Sequence, residues 1–271
     1  MGCDCLFRQG NEPEGFMNID ADGLICVPEN VAYQAEFLPL LTAVQAHFEQ
    51  CTADLVHSVY VYGSVSRGTA VPNHSDLDLT VLLTNAPKPE DYSRLEQIWQ
   101  QLEGDYPIVT KVDFDVGSLK QMMSPEIGIA WRYWLKHHCR CMYGPDLTID
   151  ILPFRPSAML ALAVNGDYHQ VLVNYAEKIG ACETQALSKK LRREAARKAI
   201  RSTNILRTET DASWPLSLDE HAERFQTLFP EKADEIQYFL MHAKGATAEP
   251  DDFVERLIQF ADWMDQIRSV N

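Results

Sequence analysis

"VYVYGSVSRGTAVPNHSDLDLTVLL", residues 59–83, holds two apolar runs separated by a glycine-containing turn. The first run is β-branched and aromatic and stops at Gly63-Ser64; the second carries an acid at every other position, Asp76 and Asp78. Both read as strands. In an extended strand alternate side chains share a face, so Asp76, Asp78 and Thr80 point one way and Leu77, Leu79 and Val81 the other. Two carboxylates on one face of an otherwise apolar strand raise one another's pKa, which is costly when nothing lies between them. A divalent cation reverses that cost. Mg2+ prefers hard oxygen ligands, commonly one or two carboxylates together with substrate phosphates. Gly63-Ser64 offers a tight turn whose backbone N–H groups and hydroxyl can approach phosphate, with Arg67 close by to pair with the charge.

Outward from this stretch, residues 31–50 carry helical periodicity, as do 90–104 and 126–138, and between them "IVTKVDFDVGSL" (108–119) reads as a further strand. On that strand Asp113 and Asp115 share a face, as Asp76 and Asp78 do. A short strand over "CRCMYG" (139–144) ends at a Gly-Pro-Asp break. The pattern then changes: 157–180, 185–207, 218–229, 231–245 and 251–270 are all helical in period. The expected architecture is an α/β N-terminal domain, residues 1–152, with a mixed sheet flanked by helices, followed by an all-α domain, residues 153–271.

Composition is that of a globular protein, with 46% hydrophobic and 23% charged residues in 271. No apolar stretch approaches the roughly 18 to 20 residues of a membrane span, and "MGCDCLFRQGNEPEG" lacks a secretory pattern, so a cytoplasmic protein without membrane association is expected. Gly2 suggests acylation, but Leu6 stands where that signal wants Ser or Thr. Seven scattered cysteines fit reduced thiols, and Cys139-x-Cys141 beside His137-His138 is too tightly spaced for a structural zinc site. The net charge of −15 disfavours a long polyanion as partner and favours a cationic small molecule.

Tyr62-Gly63-Ser64, Arg67-Gly68 and Asp76-Leu77-Asp78-Leu79 together resemble the signature of the DNA polymerase beta-like nucleotidyltransferase superfamily, in the form carried by bacterial aminoglycoside nucleotidyltransferase-like members. "CRCMYGPDL" also resembles a segment of those members, so the likeness runs over about residues 59 to 146. It implies Mg2+-dependent transfer of a nucleoside monophosphate, AMP from ATP or another NTP, to a hydroxyl, with two Mg2+ ions. Asp76 and Asp78 would hold metal, and Gly63, Ser64 and Arg67 would grip phosphates. A third carboxylate on the later strand would complete the metal site and act as general base; Asp113 is preferred by analogy, with Asp115 as the alternative. The implied acceptor is a small molecule, an aminoglycoside-like compound being one candidate. RNA ends or a protein side chain are the alternative acceptors, and a non-catalytic nucleotide-binding regulatory module is the further alternative. Oligomeric state is not legible.

Residues 189–201 are basic at seven of thirteen positions. Lys190, Arg193, Arg197 and Arg201 form a stripe that by default is a solvated helix face and would be the landing site for RNA. Lys198 falls on the apolar side of that helix. Either its stem snorkels to solvent or its ammonium enters an interdomain cleft and meets a triphosphate. Trp131, Tyr133 and Trp134 read as helix packing residues, with stacking on a base or a cation as the alternative.

Overall fold

The structure, a computed structural model, describes residues 18–52, 54–245 and 252–270; the Gly2 and Leu6 reading lies outside them. The chain divides into two units, Ile25–Phe154 and Met1–Leu24 with Arg155–Asn271.

In the first unit helix α1 (Leu38–Cys51) precedes strand β1 (Val56–Tyr62), which runs directly into a single helical turn, α2 (Gly63–Ser66). Strand β2 (Leu77–Leu83), helix α3 (Pro89–Asp105) and strand β3 (Val112–Ser118) follow, then α4 (Leu119–Met122), α5 (Gly128–His138) and strand β4 (Arg140–Tyr143). The sheet order is β3-β2-β1-β4. It is mixed: β1 is antiparallel to β2 and β4, whereas β2 and β3 are parallel and joined through α3. A parallel step needs such a crossover.

Period-two alternation sorts the two sheet faces. Leu77, Leu79, Val81 and Leu83 join Val59, Val61 and Val112 in a core with Leu40, Val44 and Phe48 of α1 and Leu95, Ile98 and Leu102 of α3. The opposite face carries Tyr60 and Leu82, which cluster with Leu135 of α5 and Cys139. Gly117 of β3 leaves the space that Trp131 fills, since a Cβ there would stand 2.5 Å from the indole. Tyr133 is buried. These aromatics are packing residues of the first unit.

Helix was expected from residue 31. The chain instead stays irregular to Gln34, makes a 3-10 turn at Ala35–Phe37 and enters α1 at Leu38. The Gln34 side chain explains this: its amide bonds the backbone of Ala70 twice, accepting from the N–H at 2.9 Å and donating to the C=O at 3.0 Å. The ends of the unit meet at His137. Its Nδ1 lies 3.0 Å from the Cys26 carbonyl and its Nε2 accepts the Phe154 N–H at 3.0 Å, while the Ile25 N–H donates to the Phe154 carbonyl at 2.8 Å.

The second unit is helical: α6 (Ala158–Asn165), α7 (Tyr168–Gly180), α8 (Gln185–Ser202), α9 (Leu218–Leu228), α10 (Ala233–Ala243) and α11 (Phe253–Val270). The apolar faces of α7 to α11 close over one core that includes Leu172, Ala196, Ile200, Phe225, Phe239, Leu257 and Phe260. The single helix expected over 157–180 is two, because α6 ends at Gly166 and the chain restarts at Tyr168. Residues 18–24 belong with this unit; Asn18 Nδ2 donates to the Trp214 carbonyl at 3.0 Å.

Candidate active site

Parallel pairing of β2 with β3 brings the acids together. Asp78 lies opposite Asp113, and Thr80 lies opposite Asp115. Asp76 stands just before β2. Burial and the neighbouring carboxylates of Asp76, Asp113 and Asp115 push the Asp78 carboxyl up to about 6, against a smaller lowering by the Arg67 guanidinium. Lost hydration and like charge both disfavour its ionised form.

The other three acids are each held by a neighbour. Thr110 Oγ1 donates to Asp76 Oδ1, and the Lys111 ammonium pairs with Asp113. The Tyr62 hydroxyl donates to Asp115 Oδ2 at 2.6 Å, and burial followed by the Asp115 charge drives its phenol far above its usual range. Tyr62 packs edge-on to Trp134 at 4.8 Å, and Trp134 Nε1 donates to Thr80 Oγ1 at 2.9 Å. Asp115 is the exposed member of the pair on β3 and Asp113 the half-buried one.

Gly63 begins α2 at φ +73°, and a Cβ there would stand 2.1 Å from Asp78 Oδ2. The glycine therefore does two things: it takes a left-handed turn, and it lets the turn lie against the Asp78 carboxylate. Within the turn the Ser66 hydroxyl donates to the Gly63 carbonyl at 3.0 Å, and the Thr69 N–H donates to the Ser64 carbonyl at 3.0 Å. Ser64 is half-buried and Arg67 exposed.

Lys198 lies on α8 in the helical unit, where its ammonium pairs with Asp167 Oδ1 at 2.7 Å and donates to Asn165 Oδ1 at 3.5 Å. Lys190, Arg193 and Arg201 are exposed, and Arg197 is half-buried. Cys139 is buried against Thr80, and His137 is committed to Cys26 and Phe154. Sequence reasoning missed Thr110, Lys111 and the role of Tyr62, although Tyr62 stands beside Gly63 in the motif and the other two directly precede the acidic strand.

Among the described residues no three His, Cys, Asp or Glu side chains form a ready metal cage. The donor set nevertheless fits Mg2+, which takes one or two carboxylates and completes its shell with water and substrate phosphate.

Residues 42–120, which span β1 to β3 and so every acid of the cluster, match the family model described as "Nucleotidyltransferase domain". The chain carries a nucleotidyltransferase domain. Among solved structures the nucleotidyltransferase is similar to spectinomycin adenyltransferase AAD(9) from Enterococcus faecialis, solved with ATP and spectinomycin. The TM-score is 0.56 at 13% identity, over 85% of this chain and 98% of that one, which is a likeness of fold. No curated protein matches the sequence. The β2–β3 acids and the Gly63 turn thus sit inside the matched segment, and the enzyme class is nucleotidyl transfer.

Proposed function

We propose that this nucleotidyltransferase moves AMP from ATP to a hydroxyl of a small cationic molecule, in the presence of Mg2+. The observation that carries the reading is the acid cluster around Asp78, whose carboxyl is raised to about 6 by burial and the neighbouring acids, set directly against the Gly63 turn.

Asp76 and Asp78, with Asp113, would hold the metal, which supplies charge neutralisation at the donor phosphates. Ser64 and Arg67 grip the β- and γ-phosphates, and Gly63 permits their close approach. Asp113 accepts the proton of the acceptor hydroxyl as that oxygen attacks the α-phosphorus, and pyrophosphate leaves with the bonding electrons. Lys111 beside Asp113 keeps the carboxylate oriented until the acceptor arrives. The net charge of −15 favours a cationic acceptor, and the fold neighbour is a spectinomycin adenyltransferase solved with ATP and spectinomycin.

The basic, exposed side of α8 supports a second reading, transfer to an RNA end. One experiment separates the two. The protein is incubated with α-labelled ATP and Mg2+ plus either an aminoglycoside and aminocyclitol panel or short RNAs, at low and near-physiological salt. A labelled small-molecule product, insensitive to Arg193→Glu/Arg197→Glu, is expected. A labelled RNA product that falls steeply with salt and is lost in the double variant would replace the first reading with the second. No labelled product with any acceptor, and no binding of Mg-ATP, would reject both in favour of a non-catalytic module.

A further inference from the structure

We infer that Arg140 is a positioning residue for the donor turn, and that it sets the affinity for the nucleotide from the edge of the sheet. The inference rests on the proposed placement of the donor phosphates at residues 63–67.

Arg140 is on the edge strand β4, where its backbone pairs with Val61 of β1. Its side chain serves a different element. Nη1 donates to the carbonyl of Ser66, the last residue of α2, at 2.7 Å. Nη2 donates to Asn30 Oδ1 at 2.6 Å, and the guanidinium carbon lies 4.2 Å over the Tyr33 ring. Ser66 is also the residue whose hydroxyl closes the turn onto Gly63. Arg140 therefore holds the turn by the same residue that shapes it.

The other end of the loop is held from the same segment, since Gln34 takes both the N–H and the C=O of Ala70. Residues 30–34 thus form a strap, with one clamp on Ala70 and a second, through Arg140, on Ser66. This gives a use to a stretch whose helical periodicity the structure does not follow. Only arginine suits the central position: a planar fork reaches two acceptors at once while its face stacks on a ring, whereas a lysine ammonium is a single point charge. A turn that must meet phosphate is sensitive to shifts of about 1 Å, which cost on the order of a hundredfold in rate or binding when they misplace a reacting group.

The test compares wild type with Arg140→Gln, Arg140→Lys, Asn30→Ala and Tyr33→Leu, reading Mg-ATP binding by calorimetry and donor KM, acceptor KM and kcat by turnover. Arg140→Gln should raise donor KM and the Mg-ATP Kd by about tenfold, with kcat at saturating donor within about threefold and acceptor KM unchanged. Arg140→Lys should recover little of this. Asn30→Ala should give a smaller rise, and the Arg140→Gln/Asn30→Ala pair should be no worse than Arg140→Gln alone. Donor KM within twofold of wild type in a folded Arg140→Gln, or full rescue by lysine, overturns the inference. Should Arg140→Gln fail to fold, Asn30→Ala and Tyr33→Leu decide, and an unchanged donor KM in both overturns it. A wild-type protein that binds no Mg-ATP rejects the donor reading itself; normal wild-type binding with an indifferent Arg140 rejects only the strap.

Discussion

Asp78 and Asp113 occupy opposite positions on the parallel strands β2 and β3, so two acids separated in sequence by an entire crossover helix share one face of the sheet. Burial of that face, followed by the charges of Asp76, Asp113 and Asp115, raises the Asp78 carboxyl to about 6.

Asp78→Asn should lower turnover by at least about a hundredfold, as expected for loss of a metal ligand. Stability should move the other way. An Asp whose folded pKa lies above its unfolded value of about 3.9 binds its proton more tightly when folded, so its ionisation costs stability above pH 6 and the cost fades as pH falls towards 4. Without divalent cation the variant should therefore melt at or above the wild-type Tm at pH 7, and the advantage should shrink by pH 4.5. A variant less stable than wild type at pH 7 in chelator would contradict this account.

The two acids of β3 should differ. Asp113→Asn is expected to reduce kcat on the order of a hundredfold or more, because it removes the general base, while Mg-ATP still binds, though more weakly, through Asp76 and Asp78. Asp115 is exposed and accepts the Tyr62 hydroxyl, so Asp115→Asn should cost less. Steady-state kinetics on both variants gives the ranking, and the reverse order would move the base to Asp115.

Gly63→Ala should be more damaging than its size suggests. The backbone is at φ +73° and the new methyl would run into Asp78 Oδ2, so the substitution combines backbone strain, of order 1 to 3 kcal/mol, with displacement of a ligand. A Tm drop of several degrees accompanied by loss of transfer is expected. Retention of near-normal activity would show that the turn and Asp78 can separate without consequence.

His137 supplies a pH signature opposite in sign. Burial holds its imidazole down to about 4, with the Lys136 charge acting the same way against the bond to Cys26. The unfolded chain takes up that proton near pH 6.5, so this group's contribution to stability is complete above 6.5 and is lost as pH falls from there to 4. In denaturant titrations His137→Gln should be less stable than wild type at pH 7.5, with the difference narrowing by pH 4.5. A constant difference across that range would mean the imidazole is not held neutral.

Much of the site was legible because strand alternation is a strong local signal. Asp76, Asp78, Asp113 and Asp115 could be assigned to faces from their spacing, and Gly63 to a turn from its place after an apolar run. What could not be read depends on which residues meet across the sheet. The Asp78–Asp113 pairing is a register between strands with a helix between them, and the pairing of Lys198 with Asp167 joins α8 to the residue that precedes α7. The Val31–Gln34 stretch misled for the same reason: its helical periodicity is real, but Gln34 and the neighbouring Tyr33 are committed to the Ala70 and Arg140 contacts. The break at Gly166 was similarly hidden in a continuous periodic run.

The meeting of Ile25 with Phe154 has a consequence for synthesis and engineering. Because the nucleotidyltransferase unit enters and leaves at one point, it is in chain order an insert within the helical unit, whose residues 18–24 precede it and whose helices follow. On the ribosome that unit has every residue it needs once Phe154 has emerged, whereas the helical core must wait for α11. Adjacent ends are also the condition under which a unit tolerates circular permutation, so new termini placed in the 84–88 loop, with 25 joined to 154 by a short linker, leave all four strands intact.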